Sequence, residues 1–138
     1  MNEQANIEVI RKTYGAFKTG DLQTILANIA DGAQWHNQGT AAVPYAGSYN
    51  GKEEIVRFFQ AIAASTEGGE IVAESFVAQG DRVIALGRYR ATVRGTGARI
   101  DCPVAHDFTV RDGRIVRWEG YSDTAMVAAA HTAKSAAA

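Results

Sequence analysis

Residues 70–122, EIVAESFVAQGDRVIALGRYRATVRGTGARIDCPVAHDFTVRDGRIVRWEGYS, decide the fold. Four runs inside this stretch, EIVAESFVAQ, RVIALGRYRATVR, ARIDCPVAHDFTV and RIVRWEGYS, are rich in β-branched and aromatic residues, the composition of strands. The breaks between them, QGD, GTG and RDG, are too short for anything but a reversal of the chain. Successive strands joined so tightly pair antiparallel. Asp112-Gly113 is the clearest of the turns, because both positions tolerate positive φ.

Upstream the period changes. Ile7, Ile10, Tyr14 and Phe17 fall on one stripe of a first helix over residues 3–18, and Gly20 is placed to end it in a left-handed turn. Asp21 is placed to cap a second helix, in which Leu22, Ile25, Leu26 and Ile29 follow the same spacing until Asp31-Gly32 breaks it. Ala33 to Asn37 reads as a short strand, and QGTAAVPYAGSYNG after it as a loop at the surface or over a cavity. Ile55, Phe58, Phe59 and Ile62 make a third helix, with Glu53 and Glu54 at the positive end of its dipole. The tail TAMVAAAHTAKSAAA predicts a short helical start that frays over residues 129–138. Helices first and a meander afterwards indicate an α+β domain with helices on one face of the sheet. If the sheet curls, helices and concave face enclose a cone that suits a small molecule.

The 138 residues suffice for one domain and one core. Fourteen Lys and Arg against fifteen Asp and Glu leave a net charge of −1, which excludes a basic field for nucleic acid or an acidic membrane surface. One cysteine, Cys102, permits no internal disulfide, and three scattered histidines match no zinc spacing, so no metal site is expected. MNEQANIEVIRK lacks the apolar stretch of a signal peptide and no run is long enough to span a membrane, so a cytoplasmic location is expected.

YGAFKTGDL, IADGAQWHNQG, AGSYNGKEEIVRFF and HDFTVRDGRIVRWEGYSD, in that order, resemble the NTF2-like superfamily over residues 5–128, closest to its SnoaL-like members, with ketosteroid isomerases and limonene epoxide hydrolases as further branches. The resemblance implies an NTF2-like (cystatin-like) cone, a curved antiparallel sheet with three helices on its concave face. It implies a single domain over 1–138 that works without a cofactor, and a homodimer through the outer face of the sheet. It also locates the places where chemistry resides. In the ketosteroid isomerase pattern Thr13 stands at the Tyr position beside Tyr14, Asn37 at the proton-moving Asp and His106 at the second acid. In the epoxide hydrolase pattern Asn37 and Arg88 match, while Trp35 replaces a Tyr and Arg90 an Asp. The acid that epoxide hydrolases and SnoaL-type cyclases share falls at Gly120, and the cyclase His at His106.

Strand alternation puts Trp35 with Asn37, Leu86 with Arg88 and Arg90, His106 with Phe108 and Val110, and Val116 with Trp118 and Gly120. The resemblance makes these the cone-facing sets. The expected pocket is walled by Trp35, Phe108 and Trp118, with Tyr14 and Tyr45 beside them and a locally positive charge from Arg88 and Arg90. His106 suits general acid–base work; the competing reading is a strand histidine bonded to a neighbour such as Glu119 or Asp123. Arg88 would hold an oxygen anion, or instead pair with Asp101 or Asp107. Asn37 would orient a carbonyl, or bond to the adjacent loop backbone. Tyr45 and Tyr49 either cover the mouth or tie down their loop. Cys102 reads as a structural or merely exposed thiol rather than a nucleophile, and Asp123 as a helix cap rather than a substitute for the acid absent at Gly120. Two functions follow as expectations: an isomerase or cyclase shifting a proton on a small apolar carbonyl compound, or a non-catalytic ligand-binding or dimeric interaction domain.

Overall fold

The computed structural model describes residues 2–133. Helix α1 (Glu3–Thr19) starts where the Asn2 side chain accepts from the Ala5 amide at 2.7 Å and ends at Gly20, whose φ of 73° turns the chain left-handed. Asp21 caps α2 (Leu22–Ala27) through the Thr24 amide. Strand β1 (Ile29–Asn37) then begins earlier than its spacing predicts, since Ile29 is a strand residue and not the last turn of the helix. The turn-rich stretch contains a further strand, β2 (Gly47–Asn50), which owes its form to antiparallel pairing with β1. Helix α3 (Gly51–Ser65) follows, with Glu54 accepting from the Asn50 amide at 2.9 Å.

Strands β3 (Thr66–Gln79), β4 (Arg82–Val93), β5 (Arg99–Arg111) and β6 (Arg114–Ser122) form the expected antiparallel meander. Asp112 and Gly113 have φ of 51° and 76° at its last hairpin. The sheet order is β2-β1-β6-β5-β4-β3, and β1 runs parallel to β6. The sheet is therefore mixed rather than wholly antiparallel. Its first strand and its last are neighbours because α3 carries the chain from β2 across to β3 at the far edge, from which the meander returns to β1.

Curvature has identifiable causes. Register shifts interrupt β3 between Glu67 and Glu70 and between Ala73 and Ser75, and β6 at Val116, and such bulges bend and twist strands. Gly87 belongs to this bend, since a Cβ there would collide with the carbonyl of Val72. α1 packs over β3, α3 over β1, and a fourth helix, α4 (Thr124–Thr132), over β5. Asp123 caps α4 through the Met126 amide. The helix continues through 129–132, with Ala130 buried, where fraying was expected; residues 134–138 of that expectation lie outside the described residues. No described helix is long and apolar enough to cross a membrane.

Candidate functional site

The inner face of β5 carries Cys102, Val104, His106, Phe108 and Val110, all buried. His106 pairs across the sheet with Ala85 on β4 and Gly120 on β6, two residues small enough to leave room for an imidazole. That room is a cavity of about 80 Å³, walled chiefly by Tyr14, Trp35, Phe58, His106, Phe108 and Trp118. It is several times the space one water requires. Trp35 and Trp118 stack with ring centroids 4.8 Å apart, and the His106 ring meets Trp118 edge-on at 5.0 Å.

Two polar arrangements interrupt this aromatic wall. At the first, the Tyr14 hydroxyl lies 2.7 Å from His106 Nδ1. Burial holds the imidazole neutral, pushing its pKa down to about 3, and pushes the Tyr14 phenol up. In one tautomer Tyr14 donates to Nδ1 and the proton on Nε2 is free to donate; in the other Nδ1–H donates to the phenol oxygen and Nε2 offers its lone pair. Either way Nε2 has no protein partner among the described residues. Trp35 adds an indole N–H that is buried without a partner among the described residues.

At the second, the Tyr45 hydroxyl lies 3.0 Å from both the Tyr89 hydroxyl and His131 Nε2. The loop runs along the surface, with residues 38–42 and Pro44 exposed, and sends the buried Val43 and Tyr45 side chains into the cone, where His131 of α4 holds Tyr45. Burial raises the Tyr45 and Tyr89 phenols and lowers the His131 imidazole. Asn37 lines the cavity and donates through Nδ2 to the Tyr45 carbonyl at 3.4 Å, which ties its amide to the loop backbone. Tyr49 packs against Phe58, and the Cys102 thiol is pushed up by burial.

Arg88 and Arg90 are not in the site. β4 turns Val83, Ala85, Gly87, Tyr89 and Ala91 inward, and Leu86, Arg88 and Arg90 lie on the outer face. Arg88 Nε donates to Asp101 at 2.7 Å and Arg90 approaches the same carboxylate at 3.5 Å. No Lys, Arg, Asp or Glu lines the cavity among the described residues, which corrects the expected positive pocket. Val116, expected inward, is the bulge residue of β6, and Ile115 takes the core position. At Gly120 a Cβ would collide with the Trp118 indole and approach Asn37 Oδ1. The space that an acid would need there is occupied by Trp118.

Of the residues singled out in the sequence, His106, Asn37, Trp35, Phe108, Trp118, Tyr14 and Tyr45 line this one cavity, whereas the bonds of the two tyrosines were not expected. The signal available for both tyrosines was a phenol on a core-facing position, which must find a hydrogen-bond partner once buried. Tyr89 and His131 were not anticipated.

A SnoaL-like domain model matches residues 10–118. An uncharacterized protein of Mycobacterium tuberculosis (strain ATCC 25618 / H37Rv) is 32% identical over 128 residues, covering 91% of this chain and 95% of that protein. Among solved structures, an NTF2-like protein of unknown function from Burkholderia pseudomallei K96243 superimposes with a TM-score of 0.87 at 26% identity, over 96% of this chain and 100% of that one. TerC, co-crystallized with polyporic acid, gives a TM-score of 0.79 at 26% identity, over 89% and 98%. With the α+β cone, its curved sheet and the family match over most of the length, the chain belongs to the SnoaL-like family of NTF2-like proteins.

Proposed function

We propose that the protein binds a small, mainly apolar ring compound in the cone, with a carbonyl oxygen of the ligand at His106 Nε2. The observation that carries this reading is His106 Nε2, which has no hydrogen-bond partner among the described residues and lies on a cavity lined mainly by aromatic and aliphatic carbon, beside the buried and unpartnered Trp35 indole N–H. A ligand oxygen at Nε2 gains a hydrogen bond worth about 0.5–1.5 kcal/mol net. In the tautomer in which the Tyr14 hydroxyl donates to Nδ1, the imidazole proton sits on Nε2 and meets the ligand oxygen. The likeness to TerC, co-crystallized with polyporic acid, agrees with a small organic ligand. Titration of tryptophan fluorescence with acetophenone and with ethylbenzene tests it. Acetophenone is expected to bind about five- to tenfold more tightly than its oxygen-free counterpart, and His106→Phe to erase the difference. Equal affinities in the wild type would contradict the reading.

A second reading, an isomerase or cyclase, is favoured by the 2.7 Å Tyr14–His106 bond, because a neutral imidazole backed by a phenol can donate to an enolate oxygen. It would also need a base for the carbon-bound proton, and no carboxylate lines the cavity among the described residues. Wash-in of deuterium from solvent at the methyl group of bound acetophenone, abolished by His106→Phe, would support catalysis; no exchange would leave binding alone. We also propose a homodimer through the outer sheet face, where Leu86 and Tyr121 are large apolar residues left exposed.

A further inference from the structure

Behind the cavity lies a groove of about 430 Å³, between the α1–α2 turn, the last turns of α3 and the start of β3. Phe17, Ile25, Phe59 and Ile62 belong to the walls of both. Phe17 and Phe59 face each other with ring centroids 6.2 Å apart, and both rings are only half-buried. They form the partition between the two spaces and pack against the core with part of each ring exposed, and partly exposed side chains change rotamer quickly.

The groove exists because side chains are missing from its floor. Gly68 and Gly69 fall in the register shift of β3, Gly68 with a φ of +65°. A Cβ at Gly69 would touch the Phe17 ring, and one at Gly68 would meet nothing within 4 Å. On the α3 side the wall includes Ala63, exposed and short. The inner part of the groove is thus apolar, from Phe17, Leu22, Phe59 and Ala63. Its rim is polar, and there Arg94 is held to Glu67 at 3.2 Å.

We propose that this groove is a second subsite, which receives an unbranched alkyl chain carried by the molecule whose ring and carbonyl lie in the cone. The ligand class is then an alkyl-substituted ring ketone, its chain passing between Phe17 and Phe59. The proposal rests on the binding reading above and adds the part of the ligand that the 80 Å³ cavity has no room for. Continuity of the two walls makes the chain of the same ligand the occupant; a separate apolar partner would have to cross the charged rim first.

Affinities of acetophenone, butyrophenone, hexanophenone and octanophenone test it, measured by tryptophan fluorescence on the full chain and on Ala63→Trp and Gln60→Trp, two exposed α3 substitutions that fill the groove. The expected result is a two- to fourfold gain per added methylene in the wild type, near the value for burying a CH₂ group. Both variants should bind acetophenone as the wild type does and lose most of the gain with chain length. A flat series in a wild type that binds acetophenone overturns the groove and leaves the cavity reading standing, as does an undiminished gain in folded variants. Failure of acetophenone to bind overturns the cavity reading and this proposal with it.

Discussion

His106 is a histidine that the fold keeps from being a cation. The residue is 7% exposed, its ring backed by Tyr14 and edged by Trp118, so charging it would mean desolvating an imidazolium with no carboxylate lining the cavity among the described residues. Ring nitrogen shifts in NMR should therefore show it neutral at pH 5; a midpoint near 6.5 would mean that the cavity is wetter than its geometry. The same burial links to stability. Between about pH 6.5 and about pH 3 the unfolded chain takes up a proton that folded His106 refuses. This histidine thus makes stability fall as the pH drops through that window, by up to about 1.4 kcal/mol per pH unit. His131, also lowered by burial, acts in the same direction, so His106→Phe should flatten the decline in urea midpoints without abolishing it. Tyr14→Phe leaves Nδ1 buried without its partner and should cost about 1–3 kcal/mol in urea unfolding at pH 7; an unchanged midpoint would show that the 2.7 Å bond contributes nothing net. At this scale the inward set of β5 was legible because His106, Phe108 and Val110 alternate with Asp107 and Thr109. The Tyr14 bond was not, because its partners are 92 positions apart and only the tertiary fold joins them.

At the scale of elements, the last strand shows what took the place of the acid. β6 sets Trp118 and Gly120 on the inner face, and the indole lies over the glycine. Gly120→Asp therefore restores a carboxylate only by displacing the ring and is expected to destabilise by about 1–3 kcal/mol, as overpacked cores do. Combined with Trp118→Val the cost should shrink, a coupling that a double-mutant cycle in urea measures. Additive effects would show that the two residues do not compete for the same space. Capping and turn residues were legible because their chemistry is local: Gly20, Asp21, Asp123 and the Asp112-Gly113 hairpin all act as their types require. β4 was misread in face because its inner positions are small, Ala85 and Gly87, while Leu86 points out. Hydrophobic alternation then offers no single register, and the bulge opposite Gly87 explains why small residues belong inside. β2 was illegible for another reason, being four residues whose strand form is supplied by β1.

For the whole molecule, a net charge of −1 is reached by sorting. The cavity wall carries no charged residue among those described. The outer face of the sheet carries Arg88 with Asp101, and Asp107 between Arg82 at 2.6 Å and Arg117 at 3.6 Å. Leu86, Ala105 and Tyr121 form an apolar row across β4, β5 and β6 among those ion pairs. If that row is the centre of a homodimer, light scattering should give twice the chain mass for the wild type and the monomer mass for Leu86→Arg; a monomeric wild type would remove the assembly. The meander and the order of helices made the cone legible in the sequence, whereas the contents of the cone depended on which face each strand presented. The central claim, a ligand oxygen at His106 Nε2, is tested most directly by following the His106 ring nitrogens in NMR as acetophenone is added. The Nε2 signal should move along the same binding curve as tryptophan fluorescence and stay still with ethylbenzene. Saturation by acetophenone with Nε2 unmoved would contradict it.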